Sequence, residues 1–341
     1  MRLVQFYIPE FGRRVGLVDE DAVIDLTTQY PRWNYIYKIF LDARRVNKTI
    51  EQYISDCGFR ADQIYYYSDL LLQRPGDKAG WLLPPLDHPD PAHCIVAGTG
   101  LTHLGSTSQR DKMHKADDSD KTDSQKMFEM GLDGGKPEPG VRGIQPECFY
   151  KGTGVIMRGH NDFLDIPSFT DDGGEEPEIV GCYIVGDDGV PYRLGFAIAN
   201  EWSDHVMERV NYLWLAPSKL RTCAVGPELI TDQPFRDIRG VCRIYRGEEI
   251  IYDSGELLTG EEHMSHSLAN MEDHHFKHDQ FRVPGDVYIY FFGTMKLSFG
   301  NRGPLQDGDR IDIRFHDMGE PLVNYVRRIP SDAKPFIVRK G

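Results

Sequence analysis

The chain has 341 residues, 40% of them apolar, and its 53 acidic against 39 basic side chains leave a net charge of −14. That length supports a sizeable core in one large or two smaller domains, and the acidic balance argues against nucleic acid or an anionic membrane as a partner. There is no run of about 18 apolar residues, and "MRLVQFYIPEFGRRVG" lacks the apolar core of a signal peptide, so a cytoplasmic protein without membrane spans is expected. Six widely spaced cysteines with no C-x-x-C fit reduced thiols rather than a zinc knuckle.

From the N-terminus, "RLVQFYIPEFGRRVGLVDEDAVIDLT" predicts short strands separated by Gly and acidic turn residues, and "WNYIYKIFLDARR" predicts a helix. Together they predict a small α+β domain over residues 1–88, closed by a stretch rich in Pro, Gly and Asp. The main domain follows over 89–341, with strands predicted at 94–97, 179–185, 192–199, 240–245, 287–292 and 310–315. The fold class is therefore α+β and β-rich, with few helices. Residues 106–140 are crowded with charges and end in Gly and Pro. Within them Thr122 and Gln125 have capping-box spacing before Met127, Phe128, Met130 and Leu132, which predicts a short helix inside a lid over the active site. In "HMSHSLANMEDHHFKH", Met264, Leu268, Met271 and His275 recur at helical spacing. An amphipathic helix explains these histidines better than zinc does, because no H-E-x-x-H occurs.

The segment "GGEEPEIVGCYIVGDDGVPYRLGFAIANEWSDH" reads as a β-hairpin about Gly186-Asp187-Asp188-Gly189. That turn pairs residues whose numbers sum to 375, which sets Glu176 opposite Ala199 and Gly174 opposite Glu201. Period two puts Glu176 and Glu178 on one face, and with this register Glu201 joins them. Three converging carboxylates repel one another unless a cation neutralises them. Oxygen-only ligands suit a hard ion, Mg²⁺, Mn²⁺ or Ca²⁺, with positions left open for water or substrate.

"GEEPEI", "GFAIANEWSDH", "APSKLRTCAVGP", "VPGDVYIYFFGT" and "DGDRIDIRFHDMGEPLVN" follow one another in the order of the motifs of the fumarylacetoacetate hydrolase superfamily, which this chain resembles from about residue 94 to 324. Within it the chain is most similar to the AraD-like bacterial sugar-acid (2-keto-3-deoxy acid) dehydratase group, on "GGEEPEI", "FYKG", "MSHSLAN" and "FFGT". The resemblance implies rolled mixed β-sheets behind the small N-terminal domain, a homodimer, and a metal held by Glu176, Glu178 and Glu201. Glu201 departs from the usual Asp at its position. It further implies that Lys219 faces the substrate's oxo group or carboxylate, and that Thr294, Lys151 and Tyr150 border the substrate. His205 and Glu208 occupy positions where relatives carry Arg and Gln, and they are expected to contact the substrate's distal oxygens. For the general base, His103 comes first and His114 in the lid second.

Such a site suits a small 2-oxo acid. Its carboxylate and oxo oxygens chelate the metal, acidifying C3, and an enolate then forms that a cation stabilises. The expected activity is dehydration of a 2-keto-3-deoxy sugar acid of pentonate type. The alternatives are C–C hydrolysis of a 2,4-diketo acid (acylpyruvate or fumarylacetoacetate type) and non-catalytic binding of a sugar acid. No G-x-S-x-G elbow, P-loop or G-x-G-x-x-G after a strand is present.

Overall fold

The structure is a computed structural model that describes residues 1–103, 105, 122–170, 172–330 and 334–341. Each of the six predicted strands is found within two residues at either end, from Cys94–Gly98 to Arg310–Phe315. The helix expected after the first strands spans Ile36–Arg45, and the amphipathic histidine-rich one Leu268–Phe276. Among the described residues thirteen strands join in one sheet and six in a second. Both sheets are mixed: Val287–Phe291 runs parallel to Cys94–Gly98, Cys223–Val225 to Met157–Arg158, and Leu322–Arg328 to Phe163–Ile166, while the other described ladders are antiparallel. None of the described helices is long and apolar enough to cross a membrane.

The central strands are buried on both faces, and the two faces feed two cores. Tyr288, Tyr290 and Phe292 enter one apolar cluster with Ile179, Tyr183 and Trp202. Val287, Ile289 and Phe291 enter the other with Val180, Cys182 and Ile184. This near-continuous apolar pattern is what a strand covered on both sides requires. Leu3, Val15, Trp33 and Ile36 belong to the second cluster too, and the strand Arg2–Ile8 pairs with Leu229–Ile230. Residues 1–88 thus extend the main sheet and share its core.

His275 lies in the first core without a hydrogen-bond partner on either ring nitrogen. Its ring stacks on Phe281 and Tyr290 at centroid distances of 4.6 and 4.4 Å. Burial lowers its pKa to about 3, so it folds neutral, while the unfolded chain takes up a proton below about pH 6.5. The stabilising contribution of neutral His275 is complete above pH 6.5 and is lost as the pH falls toward 3. Replacing it with Phe should therefore remove about 1.4 kcal/mol of the stability lost between pH 7.5 and 5.5. Urea midpoints of the wild type and His275→Phe at both pH values measure that double difference.

Candidate metal and substrate site

The hairpin register explains how the carboxylates meet. Pairs next to the turn sum to 376, as in Val185 with Pro191, and beyond a β-bulge after Cys182 they sum to 377, as in Glu178 with Ala199. The predicted sum of 375 is thus corrected by two residues. One residue comes from the turn, in which Gly186 N–H donates to Val190 O, and the other from the bulge, which leaves Leu194 unpaired. A single slip would have turned Glu201 to the opposite face; two slips preserve parity. Glu176 therefore sits beside Glu201, whose N–H donates to its carbonyl at 3.0 Å, instead of opposite Ala199.

Oxygen atoms of Glu176, Glu178 and Glu201 all lie within 4.8 Å of one another, and all three residues are buried. Glu201 reaches the trio despite its extra methylene, because its backbone stands directly across from Glu176. Lys219 Nζ bridges Glu176 Oε1 at 2.6 Å and Glu201 Oε2 at 2.8 Å, and it also meets Ser203 Oγ at 3.2 Å. Its ammonium stands 5.1 Å from the centre of the Phe149 ring. Among the described residues no cation pairs with Glu178. Its Oε2 accepts the Gly293 N–H at 2.7 Å, while its Oε1 is buried without a partner.

Electrostatics follows from this division. Burial alone would raise the Glu176 carboxyl, but Lys219 and His205 outweigh it and hold the group well below its ordinary value. Burial, reinforced by Glu201 and Glu176, pushes Glu178 well above the carboxylate range. Glu201 is raised by burial and by Glu176 against the opposing pull of Lys219 and Lys151. The two lysines and His205 pair with Glu176 and Glu201, and none of them pairs with Glu178, whose Oε1 has no partner. An oxygen-only donor set with one orphaned buried oxygen fits a hard divalent cation held by Glu176, Glu178 and Glu201.

The expected substrate contacts divide in the structure. A narrow cavity beside the trio is lined by Glu176, Glu201, Lys219, Glu208, Thr294 and Phe149, with Gly293, Leu297 and residues 99–101. Lys151 is buried behind it, donating to Glu201 Oε1 at 3.1 Å, Trp202 O at 2.6 Å and Lys219 O at 2.9 Å. With all three protons engaged, Lys151 braces the trio and the Lys219 backbone rather than facing substrate. Tyr150, on the opposite face of the same strand, is half exposed and outside the lining. The Thr294 hydroxyl is within reach of two carbonyls, those of Pro177 at 3.0 Å and Lys296 at 2.9 Å.

His205 donates from Nε2 to Glu176 Oε1 at 3.1 Å. Burial works against its protonation, but Glu176, with help from Glu208 and Asp172, raises its pKa. Its ring occupies space that a side chain at position 174 would fill, since a Cβ on Gly174 would stand 2.2 Å from His205 Nδ1. A Cβ on Gly173 would likewise stand 2.4 Å from the buried Trp202 ring. The Gly-Gly pair before the carboxylates is thus a requirement of close approach.

His103 does not line the cavity. Its Nδ1 is 3.0 Å from Thr102 Oγ1 and its Nε2 3.1 Å from Thr259 Oγ1, and burial lowers its pKa to about 3. A ring so placed and so weakly basic is a poor general base. His114 and positions 106–121 of the expected lid lie outside the described residues. The rest of that segment forms the helix Asp123–Gly134, with the expected Thr122–Gln125 capping box, docked where Gly131 meets Ser265 and His266.

Sequence reasoning missed the loop that supports Glu178. Glu175 points away from the trio and accepts from Ser298 N–H and Ser298 Oγ, both at 2.6 Å, while Arg302 donates to Ser298 Oγ and to Gly173 O. This clamp secures the loop that carries Gly293, whose φ of +93° aims its N–H at Glu178. The one available signal was the first acidic residue of "GGEEPE", Glu175, on the face opposite the ligands.

No protein-family model and no curated protein matches the chain. Solved structures do. 2-Keto-3-deoxy-D-arabinonate dehydratase complexed with magnesium and 2,5-dioxopentanoate superimposes with a TM-score of 0.68 at 19% identity, over 97% of this chain and 100% of that one. The chain therefore has the same fold as this dehydratase. Other structures with this fold include maleylpyruvate hydrolase from Sphingobium sp. SYK-6, with a TM-score of 0.56 at 15% identity over 96% of this chain and 100% of that one. A 2-hydroxyhepta-2,4-diene-1,7-dioate isomerase from Mycobacterium marinum matches with a TM-score of 0.53 at 15% identity, over 98% and 100%.

Proposed function

We propose that the protein is a magnesium- or manganese-dependent dehydratase of a 2-keto-3-deoxy sugar acid. The observation that carries this reading is the buried trio Glu176, Glu178 and Glu201, with Lys219 bridging two members and Glu178 Oε1 lacking a partner. Bound there, the ion would supply Lewis acidity toward the carboxylate and oxo oxygens of a 2-oxo acid. Lys219 places an ammonium beside the position where the oxo oxygen gains charge, and it does so in a buried setting where that charge counts most. Phe149 and Leu297 make part of the wall of the same cavity apolar. The fold shared with a dehydratase complexed with magnesium and a dioxo acid supports this substrate class.

Dehydration is favoured over C–C hydrolysis because the histidine base that the resemblance implies for hydrolytic relatives has no counterpart among the described residues of the cavity lining. Among the described residues no histidine lines the cavity, and His103 faces two threonine hydroxyls instead. A homodimer belongs to the same proposal and rests on the resemblance, and a cytoplasmic location belongs to it on the sequence reading alone. The test is incubation of the purified protein with Mg²⁺ and a panel of 2-keto-3-deoxypentonates, followed by NMR. A semialdehyde product is expected. Pyruvate released from 2,4-diketo acids would replace this reading with hydrolysis, and binding without turnover of either class would leave a sugar-acid binding protein.

A further inference from the structure

Four ionisable side chains line the cavity among the described residues: Glu176, Glu201, Lys219 and Glu208. Glu208 is the one carboxylate of the four outside the metal trio. It is 2% exposed and sits on the helix His205–Val210, one turn after His205. That short helix is secured from below, since Asp204 accepts the Met207 N–H at 3.0 Å and holds Arg221 at 3.0 Å. A buried carboxylate on so fixed a backbone is held at the cavity wall.

We propose that Glu208 is the acid–base catalyst that handles the C3 proton, an inference that rests on the 2-oxo acid reading of the site. The other basic groups nearby are directed elsewhere. Lys219 donates to Glu176, Glu201 and Ser203, and Lys151 gives its three protons to Glu201 and two carbonyls. His205 points Nε2 at Glu176, and His103 lies outside the lining between two threonine hydroxyls. In the step assigned to it, the Glu208 carboxylate takes a proton from C3 and becomes a carboxylic acid. The C–H electron pair forms the C2–C3 double bond, and the C2 oxygen takes the charge that Lys219 faces. The pair then returns to expel the C4 hydroxyl, which leaves as water with the Glu208 proton, so one C3 hydrogen and one hydroxyl are lost and the carboxylate is restored.

Glu208→Gln keeps the shape and hydrogen-bonding reach of the side chain but cannot take the proton. The probe is 2-oxobutyrate, which has C3 hydrogens and no leaving group at C4. Wild type and variant are each incubated with it and Mg²⁺ in D₂O, and loss of the C3 proton signal is followed by NMR above the rate with Mg²⁺ alone. The expected result is exchange by the wild type, slowed about 10²–10⁴-fold in Glu208→Gln, with calorimetric affinities for Mn²⁺ and 2-oxobutyrate unchanged within a few-fold. Glu208→Asp, which retains a carboxylate, should exchange faster than Glu208→Gln. Exchange at the wild-type rate in Glu208→Gln overturns the assignment, as does loss of 2-oxobutyrate binding together with exchange, which would make Glu208 a binding residue. If the wild type neither binds nor exchanges 2-oxobutyrate, the 2-oxo acid reading itself falls and this inference falls with it.

Discussion

Glu178→Ala should abolish magnesium-dependent turnover, lowering kcat at least about 10³-fold, and should eliminate the thermal stabilisation by Mg²⁺ or Mn²⁺ that the wild type shows. The metal-free protein should not suffer, because Glu178 is the trio member that burial, Glu201 and Glu176 all disfavour as a charged group. Removing it deletes a buried oxygen that has no partner, which offsets the lost hydrogen bond from Gly293. In the wild type, ion at 100 times its dissociation constant should add about 2.7 kcal/mol of stability through its preference for the folded state, and in the variant nearly none. Melting curves with EDTA and with Mn²⁺, beside a turnover assay, read both effects. Full wild-type activity in EDTA would remove the metal from the mechanism altogether.

Lys219→Met should act with the opposite sign on the metal-free protein. Its ammonium is the partner of both Glu176 and Glu201, and breaking a buried ion pair from one side typically costs about 3–5 kcal/mol. The metal-free variant should therefore melt well below the wild type, and saturating Mn²⁺ should recover much of the loss by neutralising the same carboxylates. Turnover should not recover. Loss of a cation aimed at a developing oxyanion is worth about 10²–10³ in kcat, and the metal cannot stand in both places. Lys219→Arg should rescue stability in part and activity little, since a planar guanidinium presents its donors differently from a compact ammonium. A Lys219→Met variant with near-normal kcat would show that Lys219 serves only as counter-charge.

The trio was legible because it depends on parity. Period two along Pro177–Val185 places Glu176 and Glu178 together under any register, and Glu201 joins them whenever the register moves by an even number of residues. Counting from Gly186 to Gly189 missed both a longer turn and the bulge at Leu194, and the two errors cancelled in face while misplacing every pair. Strands within two residues of their true ends were equally legible, since alternation and turn residues are local properties. The Gly-Gly pair was visible as letters but not as a constraint, because its neighbours Trp202 and His205 arrive only when the hairpin closes.

The residues misjudged from sequence are those whose role depends on distant chain. Lys151 resembles a substrate contact until Trp202 and the Lys219 carbonyl, 51 and 68 positions away, take two of its protons. His103 resembles a base until Thr259, 156 positions away, closes on its Nε2. The Glu175 clamp spans 123 positions to Ser298. Local order in the chain determined which side chains share a face and which strands exist, since both follow from backbone periodicity. Which lysine is spent on bracing, which carboxylate lacks a cation and which glutamate enters the cavity were decided by tertiary packing, because hydrogen-bond supply and burial are set by whatever segment the fold brings alongside.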